Sequence, residues 1–311
     1  CALALATPTA LTTATGSLHR LGLLLTRGHV LEGLNQIDTL IVDKTGTLTE
    51  GKPAFRQAVG IGEYAEDEVL RIAASLDQNS EHPLADAIVA EARRRNVALE
   101  TPEHFESSTG IGVRGVVGGR KVVIGTRELM REVGVDPAPL REAADALRRD
   151  GASVMLLAVD GALAGLLAVA DPIKASTPDA IAALHAAGLR IVMATGDGVA
   201  TAQAVARQLG IDEVYGEVRP QDKVELVQRL KAEGRKVAMA GDGINDAPAL
   251  AAADVGIAMG GGTDVAMHAA GITLMRGDPR LVPAALAISR RTYNKIRQNL
   301  FWAFIYNLVG I

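Results

Sequence analysis

Four apolar or β-branched residues, Thr39-Leu40-Ile41-Val42, run straight into Asp43-Lys44-Thr45-Gly46-Thr47-Leu48-Thr49. The apolar run predicts a buried strand, which puts Asp43 at a strand's carboxyl end, where open α/β sheets hold their ligands. The turn beyond it is built from small residues whose amides and hydroxyls can approach a phosphate closely. The Asp43 carboxylate is then a candidate nucleophile toward the γ-phosphoryl group of ATP, giving an aspartyl phosphate. A bare Asp after a strand is as often a turn residue or a helix cap. The whole heptapeptide, and not the aspartate alone, points to chemistry.

The 311 residues, 48% of them hydrophobic, are ample for more than one domain. A net charge of -4 offers no basic field, so nucleic acid is not an expected partner. The single cysteine excludes an internal disulfide framework and argues for a reducing compartment or a specialised thiol. The chain opens on Cys1 without an initiator Met, and the expectation is a portion of something longer.

Residues 1 to 18 carry no charge and are mostly Ala, Leu, Thr and Gly, which fits either a buried helix or a tightly packed transmembrane helix kinked at Pro8. His19, Arg20 and Arg27 follow, as at a cytoplasmic exit. Beyond Gly51-Lys52-Pro53 the pattern changes, with helical periodicity at 65 to 78 and 83 to 95 and strand-like runs at 153 to 159 and 162 to 170. This stretch reads as an antiparallel sheet with flanking helices. From Asp171 apolar strands alternate with amphipathic helices, a βαβ series and hence a parallel sheet that should rejoin the Asp43 strand. At the far end Arg290, Arg291, Lys295 and Arg297 precede the uncharged run 300 to 311, with Trp302 near its start. That describes a membrane helix entering from the cytoplasm, though short of the roughly 20 residues a span needs.

Three constellations follow the later strands. Thr195-Gly196-Asp197 offers a hydroxyl and an amide to phosphoryl oxygens, and Lys223 could neutralise charge in a transition state. Asp242-Gly243-Ile244-Asn245-Asp246 supplies clustered carboxylates and an amide, and Mg²⁺, which wants hard oxygens, would be suited by Asp43, Asp242 and the Thr45 carbonyl. Singly each has an ordinary reading as turn, solvated lysine or helix cap.

The Asp43 heptapeptide resembles the phosphorylation motif of P-type ATPases, and the run from Gly241 to Leu250 is similar to the hinge motif of those pumps. The resemblance extends over essentially the whole chain, and it implies a haloacid-dehalogenase-like α/β phosphorylation domain with an inserted α+β nucleotide-binding domain, flanked by partial transmembrane helices. The implied divisions are a sixth membrane helix with its extension (1–27), the first part of the phosphorylation domain (28–51), the nucleotide-binding domain (52–168), the second part of the phosphorylation domain (169–282) and the start of a seventh membrane helix (283–311).

Ser80-Glu81-His82-Pro83-Leu84 resembles the His-Pro motif of heavy-metal pumps, which implies that Glu81 and His82 hold ATP together with Gly110, Gly112 and Gly125. Thr126 stands where relatives often have Asn. Asp43, Lys44, Thr45, Thr195, Gly196, Asp197, Lys223, Asn245 and Asp246 are implied catalytic residues, with Mg²⁺ as cofactor. Cys1 resembles the second Cys of a metal-binding Cys-Pro-Cys, and Tyr306-Asn307 the pair of copper-transporting pumps; both are implied ligands of the transported ion.

The implied protein is an integral membrane pump, of the plasma membrane, that exports Cu(I). This catalytic loop lies on its cytoplasmic side, and its partners are the actuator domain and the remaining membrane helices. The rivals are a Zn(II)/Cd(II)-type pump, a soluble dehalogenase-like phosphatase and a regulatory module that binds nucleotide without turnover. Such phosphatases commonly carry Asp two residues after the nucleophile, where this chain has Thr45.

Overall fold

The computed structural model describes residues 2–26, 30–80, 82–108 and 111–309. In chain order the elements begin with α1 (Ala2–Leu21), β1 (Leu23–Leu25), α2 (Val30–Gln36), β2 (Thr39–Val42), β3 (Ala54–Gly60), α3 (Glu66–Asp77) and α4 (Pro83–Arg94). There follow β4 (Glu103–Ser108), β5 (Gly112–Val117), β6 (Arg120–Gly125), α5 (Arg127–Glu132), α6 (Arg141–Arg149), β7 (Ser153–Val159) and β8 (Ala162–Ala170). The last third holds α7 (Thr177–Ala186), β9 (Arg190–Ala194), α8 (Val199–Leu209), β10 (Glu213–Tyr215), α9 (Pro220–Ala232), β11 (Val237–Gly241), α10 (Ala247–Ala252), β12 (Val255–Met259), α11 (Asp264–Ala269), β13 (Ile272–Leu274) and α12 (Leu281–Val309).

Two compact units result, one from Cys1–Glu50, Ile173–Gly196 and Ala206–Ile311, the other from Gly51–Pro172 with Asp197–Val205. The first is built on a seven-stranded sheet in the order β1-β13-β12-β11-β2-β9-β10. Every pairing in it is parallel except that of the edge strand β1 with β13. All four residues of β2 are buried, because helices cover both faces of a parallel sheet. With β11 on one side and β9 on the other, β2 sits at mid-sheet. Val42 is in register with Ala240 and with Met193, so Asp43, Gly241-Asp242 and Thr195 all leave the sheet at the same edge. Ile41, Val192, Met239, Leu250 and Ala258 form the apolar core beneath.

The second unit is a six-stranded antiparallel sheet, β3-β8-β7-β6-β5-β4. Successive strand residues face opposite sides. Leu157 and Leu167 join the core under α3 and α4, whereas Leu156 and Leu166 join Met130, Leu140 and Ala144 under α5 and α6. With both faces covered, β7 and β8 read in the sequence as unbroken apolar runs.

At the two ends of the chain, α1 and α12 pack on each other in the first unit. No helix among the described residues is long and apolar enough to cross a membrane by itself, in keeping with the partial spans expected at the two ends. The cause lies in composition. Pro8 and several Thr and Ser residues interrupt α1, and four cations occupy the middle of α12. Cys1, Arg27, Glu81 and Gly110 lie outside the described residues.

Candidate active site and nucleotide pocket

Asp43 caps β2, its backbone N–H donating to the Ala240 carbonyl at 2.9 Å. The chain then folds into a tight loop, closed where the Thr49 N–H and hydroxyl both donate to the Lys44 carbonyl, at 3.2 and 3.0 Å. Gly46 has φ of +71°, and a Cβ there would collide with the Asp242 carboxylate. Only glycine lets the loop pass that close. Lys174 anchors the loop from behind, its Nζ donating to the Gly46 carbonyl at 2.6 Å and to the Gly277 carbonyl at 2.9 Å. The Thr177 hydroxyl donates to the Leu48 carbonyl at 2.7 Å.

Lys223, in the first turn of α9, reaches back so that its Nζ lies 2.6 Å from Asp43 Oδ1 and 2.6 Å from Asp246 Oδ1. All three side chains are buried. Carboxylate oxygens of Asp43, Asp242 and Asp246 lie within 4.8 Å of one another. Burial pushes the Asp43 carboxyl up to about 7 against the pull of Lys223, and the neighbouring Asp246 and Asp242 add to the rise. Burial works against the Lys223 ammonium, but Asp43 and Asp246 outweigh it and hold its pKa above the ordinary value. Burial and Asp246 also raise Asp242, with Lys174 opposing.

Three carboxylates around one ammonium leave an excess of negative charge on hard oxygens. That donor set fits a divalent cation such as Mg²⁺. The sequence motifs suggest Asp43, Asp242 and the Thr45 carbonyl around the ion, and the geometry adds Asp246 as a third carboxylate. The sign of electrostatic coupling favours the fit, since a cation there would lower the raised carboxyls of Asp43 and Asp242.

The other sequence candidates divide. Thr195 is buried at the end of β9, its N–H donating to the Tyr215 carbonyl at 3.0 Å, with exposed Gly196 beside it. Lys44 is buried and Thr45 exposed. Asp197 falls with the second unit and stands outside the carboxylate cluster. Asn245 is exposed in the turn before α10. Tyr306 is 79% exposed, and the Asn307 side chain lies outside the described residues.

In the second unit a cavity of about 440 Å³ is lined by Asp77, His82, Gly112, Gly125, Thr126 and Met155 among others. His82 caps α4, with Pro83 at its first position. The ring Nδ1 accepts from the Leu84 N–H at 3.2 Å, which leaves the proton on Nε2 as a donor. Gly112 pairs with Gly125 across β5 and β6. Its φ is +152°, and a Cβ would strike the Ile124 carbonyl and Leu129, so the wall there is bare backbone. Thr126 lines the cavity too, and its hydroxyl oxygen accepts from the Leu129 N–H at 3.3 Å and caps α5.

Sequence reasoning missed Asp77. It ends α3, is 4% exposed, and its Oδ2 has no hydrogen-bond partner. Burial pushes its carboxyl up to about 7. The signal that could have found it is an acid closing the run Ala73-Ala74-Ser75-Leu76, all of it buried. Lys174 was legible only as part of a boundary.

The class is set by the haloacid dehalogenase-like hydrolases, whose sequence model matches residues 37–254. The copper-transporting P-type ATPase of Rhizobium leguminosarum bv. viciae is 52% identical over 311 residues, which is 100% of this chain and 37% of that protein. Among solved structures, a zinc-transporting PIB-type ATPase in its E2.Pi state superposes with a TM-score of 0.84 at 35% identity, covering 100% of this chain and 51% of that one. The catalytic domain of a CPx-ATPase, described in connection with nucleotide binding, matches with a TM-score of 0.71 at 31% identity, over 87% of this chain and 98% of that domain. The chain belongs to the heavy-metal P-type ATPases, a branch of the haloacid dehalogenase-like hydrolases. It spans less than half the length of the copper-transporting relative.

Proposed function

We propose that this chain is the phosphoryl-transfer portion of an ATP-driven pump that exports Cu(I), with Asp43 as the residue phosphorylated. The observation that carries the reading is the buried Asp43 carboxylate held 2.6 Å from Lys223 Nζ at the carboxyl edge of a parallel sheet. An Asp43 oxygen attacks the γ-phosphorus of ATP, forms an acyl phosphate and releases ADP. Lys223 favours the ionised form of Asp43 against burial and offsets charge on the transferring oxygens, and the Thr195 hydroxyl and Gly196 amide bind those oxygens. A divalent cation held by Asp43, Asp242, Asp246 and the Thr45 carbonyl would neutralise developing charge there. Lys44 supports the loop and Asn245 and Asp197 serve its approaches.

ATP binds through its base in the cavity of the second unit, where His82 Nε2–H faces the purine and bare backbone at Gly112 and Gly125 admits its flat ring. Glu81 and Gly110 belong to the same proposed set. Asp77 adds an acceptor matched to the exocyclic amine of adenine, where the carbonyl of guanine would meet an acceptor with an acceptor.

The divisions at residues 27, 51, 168 and 282 are part of the proposal, as is a membrane location with this portion on the cytoplasmic side. Cys1, Tyr306 and Asn307 are proposed contacts of the transported ion, whose softness suits a thiolate. Phosphorylation from labelled ATP by the full-length pump in membranes tests the metal. Cu(I) under reducing conditions is expected to stimulate it and Zn(II) not. Stimulation by Zn(II) alone would keep the phosphoryl transfer and overturn the metal.

A further inference from the structure

Close approach to Asp242 demands glycine at position 46, since a Cβ there would lie 1.6 Å from Asp242 Oδ2. Glycine in turn leaves the tip of the loop with little conformational restraint of its own. Thr45 at φ -69°, ψ 128° and Gly46 at φ 71°, ψ -18° form a type II turn, a shape that glycine can leave at little steric cost. The hold on this turn comes from outside the loop.

The base of the loop is fixed without help from the Lys174 ammonium. Thr49 closes it on the Lys44 carbonyl, and the Leu48 carbonyl accepts from the Thr177 hydroxyl and from the Lys174 backbone N–H at 3.0 Å. Asp43 is held separately, by Ala240 and Lys223. The ammonium acts at the tip, on the Gly46 carbonyl, and is itself tied to the Gly277 carbonyl. Gly277 is secured in turn to the end of β13, its N–H donating to the Leu274 carbonyl at 2.9 Å. In the sheet β11 and β12 lie between β2 and β13, so a tie from the β2 loop toward β13 draws the tip over the end of β11. Asp242 stands there. Its own backbone is fixed, the carbonyl accepting from the Thr263 N–H at 2.8 Å, so the tip is the partner whose place is adjustable.

We infer that Lys174 is a positioning residue for the divalent cation: it holds the Thr45-Gly46 tip against Asp242, so that the Thr45 carbonyl and the Asp242 carboxylate converge on one ion. This rests on the cation site proposed above. The sign of its effect separates an anchor from a charge. A cation beside a cation site repels the ion, and the Lys174 charge does reach the Asp242 carboxyl. On charge alone, removing Lys174 would tighten the ion. As an anchor, its removal loosens it.

Mn²⁺, which takes the same hard oxygens as Mg²⁺, reads binding to the chain without ATP through loss of the free-ion paramagnetic resonance signal. Lys174→Met keeps a similar volume and should weaken Mn²⁺ by about tenfold, the low end for groups that orient metal ligands. Lys174→Arg keeps a cation with donors for two carbonyls and should stay within about threefold of the parent. Thr177→Val loosens the base of the same loop and should also stay within about threefold. Phosphorylation adds a second reading, since at saturating Mg²⁺ the rate of Lys174→Met should recover to within about threefold of the parent. Circular dichroism confirms that each variant is folded. Should Lys174→Met not fold, Lys174→Gln, which keeps one amide donor for a carbonyl, reads the same loss of affinity.

Asp242→Asn, which removes a proposed ligand, separates the inference from the reading beneath it. Loss of Mn²⁺ in Asp242→Asn, with binding as tight as the parent's or tighter in Lys174→Met, would overturn the role of Lys174 alone. Parental binding in Asp242→Asn would overturn the cation site and the inference with it. Equal losses in the Met and Arg variants, or in Thr177→Val, would mean loosening of the loop at large and would also overturn the assignment.

Discussion

Lys223→Met should slow phosphorylation of the chain by about 10² to 10³-fold and destabilise the first unit by about 3 to 5 kcal/mol. Both effects have one source. Lys223 is the ammonium that bridges Asp43 and Asp246, and all three side chains are nearly free of solvent. Methionine fills similar volume, so the cost is electrostatic and not a cavity. Without the ammonium, carboxylates whose oxygens lie within 4.8 Å of one another lose the cation that bridges Asp43 and Asp246. Asp43 then takes up a proton and loses nucleophilicity. Stopped-time labelling with radioactive ATP reads the rate, and thermal unfolding with and without Mg²⁺ reads the stability. Mg²⁺ should rescue the melting temperature of the variant by more than it raises that of the parent, because the variant offers it one more uncompensated charge. A parental rate in the variant would remove Lys223 from the chemistry.

Asp77→Asn should do the opposite to stability while weakening ATP. The parent carboxyl is raised by burial to about 7. Between the unfolded value of 3.8 and that folded value, the unfolded chain releases a proton that the folded chain retains. Stability therefore falls as pH rises through this window, and the loss levels off above the folded pKa, at on the order of 4 kcal/mol as an upper figure. Its position at the carboxyl end of α3 adds to the disfavour of a negative charge. The asparagine variant carries no titrating group there. Its denaturation curve should match the parent at pH 4 and exceed it at pH 8, by about 2 to 4 kcal/mol. ATP affinity, measured by calorimetry, should fall on the order of tenfold as a charged acceptor becomes a neutral one. Coincident curves at both pH values would mean that Asp77 ionises normally in the folded chain. A stability gain with unchanged affinity would keep the burial argument and remove Asp77 from the base pocket.

Lys223 and Asp77 differ in how far the amino-acid sequence announces them. Thr39–Val42, residues 153 to 159 and residues 162 to 170 are strands at the residues their β-branched and apolar content predicted. Asp43, Lys223 and Asp242 belong to short motifs with a chemical reason for each residue, and they meet because parallel strands deliver their carboxyl ends to one edge. Asp77 has no such neighbourhood. Its role depends on α3 and the sheet closing over it, which no local pattern encodes. The same holds for β1 and β13, three residues each, which pair only because the ends of the first unit come together. Residues 247 to 252 form a short helix, α10, that follows Asp246, whose ordinary reading in the sequence was as part of a helix cap. At the ends of the chain, small and hydroxylated residues are uncharged, yet no helix among the described residues has the length and hydropathy that a bilayer span requires.

The central claim is a covalent bond between phosphorus and Asp43, and borohydride reads it directly. An acyl phosphate is reduced to an alcohol whereas a free carboxylate is not, so an aspartyl phosphate becomes homoserine. The chain incubated with ATP and Mg²⁺, quenched in acid, reduced and digested, should yield homoserine at position 43 in the peptide spanning Ile41 to Thr49. Asp43→Asn should yield none. Homoserine at another aspartate, or acid-stable phosphate retained by Asp43→Asn, would contradict the account.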